Sequence, residues 1–340
     1  MLIRPTIRTV AEQAGVSVST VSQVMRGHGR ISKETRRKVL RVAEQLNYVR
    51  DRRAVAMRSG ESSDIGFLIN NIANPFNAEV VAGVNACLAD AGFLVHVLDG
   101  QDDPVLQERY LRTMIGGGVG GLLWVPANGT MPETVDWVKR ASPATLTLLR
   151  SLPDLPFDHV GVDNSEGIAR ATQHLLDLGH RRIAFLGGDR DTPTLRQRIG
   201  GYLGTMMAGN GHPPIVRRCE ETKTAAKDAA IALCQEHPDV SALVCNCDVV
   251  ALGSSLGVAE LGHGVGRDIS ITGFDGIEDA RLWVPPLTTV EVDPKGLGQQ
   301  LADAFLARRA NAEAPLRSVT LPVRLAVRAS SGPPNGEGRR

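Results

Sequence analysis

Residues 16–25, "VSVSTVSQVM", set five short polar side chains, Ser17, Ser19, Thr20, Ser22 and Gln23, among valines at helical spacing. Hydroxyls and an amide at that density suit hydrogen bonds to phosphate oxygens and base edges in a major groove, where a plain amphipathic helix would carry Glu and Lys. Other chemistries are poorly served. The eight histidines have no evident carboxylate or thiol company, and no nucleophile elbow, His-Glu-x-x-His or phosphate loop is expected. Five scattered cysteines (Cys87, Cys219, Cys234, Cys245, Cys247) make no disulfide framework and point to a reducing compartment. Cys245 and Cys247 would share a strand face but lack a second ligand pair, so no metal, no cofactor and no enzyme activity are expected.

The charge is divided along the chain. Residues 1–60 carry 13 Lys and Arg against 4 Asp and Glu, a balance of +9, and the remainder of the 340 residues carries −8. A small basic domain that meets a polyanion, followed by an acidic body that stays off it, accounts for this division. A solvated cationic face gives the same count, so charge alone leaves both readings open. The opening "MLIRPTIRTV" has no apolar signal region and no stretch approaches a membrane span, which predicts a cytoplasmic protein.

The polar stretch needs helices to present it. Val10, Ala11 and Ala14 recur at helical spacing, Gly15 stops that helix, and Ser17 caps a second one carrying Val18, Val21, Val24 and Met25. Two short helices about a glycine turn make a helix-turn-helix. A third helix starts at Ser32, has Glu34 in its first turn, and closes a three-helix core with Val39, Val42, Ala43 and Leu46.

"VAEQAGVSVSTVSQVM", "ISKETRRKV" and "AEQLNYVRDRRAVAM" resemble the DNA-binding headpiece and hinge of the LacI/GalR family of bacterial repressors. "GHGRIS", "RDRRAVAMRSG" and "LRQRIGGY" look closest to its MalI-type branch. The resemblance implies that Val18, Ser19 and Gln23 read bases, while Thr6, Ser17, Thr20, Ser22 and Thr35 touch phosphates. It also implies that "DRRAVAMRS" is a hinge helix that folds on DNA, with Ala54 and Met57 at the minor groove and Met57 where the family carries a wedging leucine. An ordinary charged linker is the other reading of that segment. The partners implied are double-stranded operator DNA, a small-molecule effector such as a sugar or sugar derivative, and a second copy of the chain.

From Ile65 onward short apolar runs alternate with amphipathic helices: "IGFLIN", "FLVHVL", "GLLWVP", "ATLTLL", then a second series running from "HVGVD" through "RIAFLGG", "IVRRC", "ALVCN" and "ISITGFD". Continuous hydrophobic strands joined by helices predict two doubly wound parallel α/β lobes. The body is similar to two-lobed sensors of the periplasmic-binding-protein type, in which the last segment returns to the first lobe. The expected organisation is a headpiece at 1–50, a hinge and linker at 51–62, an effector-binding and dimerisation domain at 63–330, and a disordered tail at 331–340. Within the third unit the first lobe takes 63–162 plus 292–330 and the second 163–291. "GGGVGG" precedes a strand and "FLGGDRDTP" lacks dinucleotide spacing, so both read as tight turns.

Ligand contacts should gather just past strand ends, where Asn71, Phe76, Arg150, Arg198, Asp248 and Asp275 fall. Surface ion pairs or helix caps would explain any one of them; their shared placement favours a cleft. The resemblance implies that Phe76, Arg198 and Asp275 line it. Two departures stand out: Cys247-Asp248 replaces Asn-Asp, so that one amide contact is either missing or moved to Asn246, and Arg150 replaces an aspartate of several sugar-binding members. That reversed charge points to an anionic effector, such as a sugar phosphate or sugar acid. The competing class is a cytoplasmic ligand carrier or enzyme with a non-specific basic DNA anchor.

Overall fold

The computed structural model describes residues 5–27, 30–49, 62–141, 144–209 and 212–334. The chain divides into two compact units, 1–62 and 63–340. Ala54 and Met57, with the rest of the expected hinge helix, lie outside the described residues.

In the first unit, helices α1 (Ile7–Ala14), α2 (Val18–Arg26) and α3 (Lys33–Gln45) are capped by Thr6, Ser17 and Ser32, each accepting a backbone N–H from three residues ahead. Gly15 ends α1 with φ 61°, a left-handed turn that a side chain would strain. Val10, Ala11, Ala14, Val21, Val24, Val39 and Ala43 are buried together, and small side chains are what allow three short helices to meet closely.

The second unit holds two six-stranded sheets. The first has the order β11-β5-β4-β3-β1-β2, built from β1 (Asp64–Ile69), β2 (Leu94–Asp99), β3 (Gly121–Trp124), β4 (Thr145–Leu148), β5 (Asp158–Val162) and β11 (Ser318–Leu321). The second has the order β12-β10-β9-β8-β6-β7, from β6 (Ile183–Leu186), β7 (Ile215–Arg217), β8 (Ala242–Cys245), β9 (Ser270–Asp275), β10 (Thr288–Glu291) and β12 (Arg324–Ala326). All pairings are parallel except β10 with β12. The connecting helices are α4 (Pro75–Asp90), α5 (Pro104–Gly116), α6 (Pro132–Ala141), α7 (Asn164–Asp177), α8 (Pro193–Gly209), α9 (Lys223–Glu236), α10 (Asp248–Glu260), α11 (Glu278–Leu282) and α12 (Pro294–Ala310). Where α4 crosses α12, Gly83 and Gly298 let the backbones touch: a Cβ at Gly83 would stand 2.2 Å from the Lys295 carbonyl oxygen.

Three expectations need correcting. "HVGVD", read as opening the second series, is β5 and pairs with β4 and β11 in the first sheet. The last strand, expected to return whole to the first lobe, is split: β11 joins the first sheet beside β5, then Pro322, with no N–H to give a ladder, breaks the pairing and β12 adds to the second sheet. Residues 331–334, expected in a disordered tail, are placed against the second lobe. Ser331 Oγ lies 2.9 Å from His174 Nε2, and the Gly332 carbonyl accepts from Ser270 Oγ at 2.9 Å.

Candidate DNA-recognition face and ligand cleft

On α2 the spacing separates two faces. Val21 and Val24 are buried, while Ser17, Val18, Ser19 and Gln23 are exposed, with Thr20 and Ser22 between them. The three expected base readers therefore share the outer side of one helix, at positions one and four residues apart. Ser17 Oγ sits 2.8 Å from both Ser19 Oγ and Thr20 Oγ1 and accepts the Thr20 N–H at 3.1 Å. These hydroxyls satisfy one another, so an incoming phosphate or base edge exchanges one polar partner for another instead of desolvating a bare group. Thr6 and Thr35 lie at the starts of α1 and α3, Thr6 as the cap and Thr35 donating its N–H to Ser32 Oγ at 3.1 Å. Helix N-termini favour anions, which suits both positions for phosphate.

The second candidate site lies in the two-sheet unit, at the carboxyl ends of the strands. Arg198, in the second turn of α8, is buried and fully engaged: Nε donates to Asn164 Oδ1 at 2.9 Å, Nη1 to the Asn246 carbonyl, and Nη2 stands 3.6 Å from Asp275 Oδ1. Its guanidinium also stacks 3.8 Å from the centre of the Phe274 ring. Asp275 ends β9 with φ 127°, an unusual conformation for a side-chain-bearing residue. Burial pushes its carboxyl well above the usual range, against the opposing pull of Arg198. Asp275 Oδ2 and Asn246 Oδ1 are buried without a hydrogen-bond partner among the described residues. Two orphaned acceptors beside one ordered guanidinium make a surface ready for a ligand that presents hydroxyl or amine donors. Glu221 accepts from Asn246 Nδ2.

From the first sheet, Arg150 follows β4 and donates through Nη1 to Asp102, which follows β2. Arg190, on the loop after β6, reaches Asp102 Oδ2 at 3.3 Å, so one carboxylate links the two lobes. Asn71 Oδ1 is used locally, accepting the Ala73 N–H at 2.9 Å. Phe76 is buried at the start of α4 within the apolar core. A cavity of about 550 Å³ lies beside the lobe crossovers and is lined by Glu79, Glu291, Asp293 and Arg324. Glu291 there is already held by Arg324 and Arg328, and the orphaned acceptors lie elsewhere, so the converging side chains define the site better than the void does.

Asp248, expected at the ligand, is a correction. It is fully buried in the first turn of α10: Oδ2 accepts the N–H groups of Gly276 (2.8 Å) and Ile277 (3.0 Å), and Oδ1 accepts from the Thr289 hydroxyl. Burial raises its carboxyl to about 7. It fixes the loop that carries Asp275 instead of offering oxygens to solvent. The sequence also contains a Gly-x-Ser-x-Gly match after all, Gly253 to Gly257. Ser255 lies inside α10, buried, and donates to the Ala251 carbonyl at 2.9 Å, which is no strand-to-helix elbow. Sequence reasoning missed Asp102, Arg190, Asn164 and Glu221; the strand-end rule that found Arg150 also covers Asp102 and Asn164.

A helix-turn-helix with a polar exposed face, carried on the same chain as a two-lobed cleft of this design, defines a ligand-responsive DNA-binding regulator. Residues 6–51 match the bacterial regulatory proteins of the lacI family, and residues 172–331 match a periplasmic binding protein-like domain. The chain is 33% identical over 332 residues to the maltose regulon regulatory protein MalI of Escherichia coli K12, covering 94% of this chain and 97% of the relative. It is similar to the lac repressor dimer bound to operator and the anti-inducer ONPF (26% identity, TM-score 0.84, covering 97% and 100% of the two chains). It is likewise similar to the regulator CelR in complex with cellobiose (27% identity, TM-score 0.71, covering 96% and 100%). The chain belongs to the lacI family of bacterial transcription regulators and is not an enzyme. No helix among the described residues is long and apolar enough to cross a membrane.

Proposed function

We propose that the protein is a cytoplasmic repressor of a carbohydrate uptake or catabolism operon, binding an inverted-repeat operator as a homodimer under control of a sugar or sugar derivative. The observation that carries this reading is the joint presence of the exposed Val18, Ser19 and Gln23 face and the Arg198–Asp275 cleft with its orphaned acceptors. Val18 and Ser19 are short, giving a methyl contact and one hydrogen bond, so specificity rests on Gln23 and on DNA shape. Thr6, Ser17, Thr20, Ser22 and Thr35 hold phosphates, and Ala54 and Met57 enter the minor groove. A headpiece this small reads only a half-site, which requires a second copy. The lac repressor structure contains a dimer on operator, and the CelR structure contains cellobiose, which supports the same arrangement and ligand class here. Effector control follows from linkage: a ligand that prefers one lobe arrangement shifts the dimer between operator-competent and incompetent states.

Selection of sheared DNA from the source genome by purified protein tests this. One or a few inverted repeats should be enriched at moderate salt, next to sugar-transport or sugar-metabolising genes. Uniform, salt-sensitive retention of all fragments would instead mark the headpiece as a basic anchor.

A further inference from the structure

Arg150, expected at the ligand, is joined in the structure by two residues that the sugar reading did not use, Asp102 and Arg190. Gln101 and Asp102 have φ 51° and 53°, two consecutive left-handed residues of which neither is glycine. Such a turn persists only when its surroundings over-determine it. Here charge does so. Arg150 donates to Asp102 Oδ1 from the first lobe, and Arg190 Nη1 reaches Oδ2 at 3.3 Å from the second, also donating to the Asp102 carbonyl at 2.9 Å. The Asn128 N–H adds 2.8 Å to Oδ1. The Asp102 carboxylate is 11% exposed, a single oxyanion gripped from both sides of the cleft.

Guanidinium pairs hold carboxylate and phosphate oxygens with the same geometry. We propose that Arg150 and Arg190 form an anion seat divided between the lobes, filled here by the chain's own Asp102, and that the effector carries a carboxylate or phosphate group that takes the seat over. The proposal rests on the ligand-responsive reading above and narrows the effector to an acidic sugar derivative. Its hydroxyls would meet Asp275 Oδ2 and Asn246 Oδ1 while its anion meets the two arginines. Displacing Asp102 frees the 101–102 turn from its left-handed conformation, which offsets part of the lost ion pairing. Two other acids face the seat. Asp189 stands 4.0 Å from Arg190 Nε, and Glu221 accepts from Asn246 Nδ2; both residues are exposed, so solvent screens an incoming anion from them. Exchange of Asp102 for a ligand changes what joins the lobes, so the seat couples occupancy to lobe geometry.

The test uses the full-length protein and inorganic phosphate at constant ionic strength, read by calorimetric titration and by the rise in melting temperature. Asp102→Ala empties the seat and should bind phosphate at least tenfold more tightly than the unaltered protein. Adding Arg190→Gln, at a half-exposed side chain, should abolish the gain. Equal phosphate affinity with and without Asp102, or a gain that survives Arg190→Gln, overturns the seat. Asp102→Asn keeps an acceptor for the Asn128 N–H and serves the same comparison where the alanine variant does not fold. In the emptied seat, D-glucose 6-phosphate against D-gluconate tells a phosphate effector from a carboxylate one. Genomic DNA selection that succeeds while the phosphate comparison fails discards the seat and leaves the regulator reading standing.

Discussion

The headpiece and the two-lobed body solve the same packing problem at opposite scales. The headpiece core is seven small aliphatic residues between positions 10 and 43, all supplied by neighbouring helices. The body's principal cluster runs from Ile65 to Val323 and includes Phe67, Phe185, Tyr202, Phe274 and Phe305. A domain of about 60 residues buries a smaller share of its surface than a large one and sits near the margin of stability. Single methyl groups and caps therefore matter in the headpiece, whereas the body can carry buried charge, strained turns and orphaned acceptors. Function follows that division, with a surface for reading placed on the small unit and a polar interior for sensing placed in the large one.

The comparison can be broken most forcefully at Arg308. This buried guanidinium holds Asp158 through Nε (2.6 Å) and Nη2 (3.0 Å) and also donates to the Ala312, Ala314 and Pro315 carbonyls. Arg308→Ala leaves Asp158 buried without a counter-charge, its Oδ1 still accepting the Arg317 N–H at 2.7 Å, and should lower body stability by about 3 kcal/mol in denaturant unfolding. Headpiece helicity that falls in parallel would show that the two units do not unfold separately.

The next effect is acid sensitivity. Burial lowers His159 to about 4, so the unfolded chain takes a proton near the ordinary 6.5 that the native state refuses. Its contribution is complete above pH 6.5 and is lost as pH falls toward 4, about 3 kcal/mol across that window. His159→Gln should make the body's stability profile less steep there, as measured by unfolding at stepped pH, with the rest of the slope left to His174 and His180, which burial also lowers. The headpiece has one histidine, His28, outside the described residues, and its core is aliphatic, so it should lack a slope of that size.

Val21→Ala removes two buried methyl groups from the headpiece and should cost about 2 kcal/mol, enough to abolish DNA binding while the body melts unchanged. Retained DNA binding would mean that the headpiece has more reserve than its core implies. Gln23→Ala is the smallest perturbation: exposed, it should shift stability by no more than about 0.5 kcal/mol. It should nonetheless relax preference at one base pair by about 1–3 kcal/mol, seen as a broadened consensus in selected DNA.

These regions also differ in how legible they were. Headpiece helices, caps and exposed face are contiguous, so spacing alone separates Val21 and Val24 from Ser19 and Gln23. Lobe strands announce themselves as continuous apolar runs, and the splitting of the last one was marked only by Pro322. The cleft was half legible. Strand ends located Arg150, Arg198 and Asp275, yet the rule is blind to direction, so Asp248 was read as facing a ligand when backbone N–H groups from another loop claim it. Arg150 looked like an unopposed cation because its partner Asp102 follows a different strand, and Arg190 arrives from the other lobe. Pairings between distant strand ends are set by sheet order, which no local window contains.

The threading of the C-terminal segment bears on synthesis. β12 completes the second sheet at 324–326, and Ser330 and Gly332 fill polar sites on Ile271, Thr288 and Ser270. A ribosome delivers the headpiece before these residues, so the DNA-reading unit can fold on the nascent chain while the sensing lobe still lacks β12. During that interval the headpiece exists without a finished sensing lobe, and any fusion or truncation that disturbs residues 324–332 would prolong it.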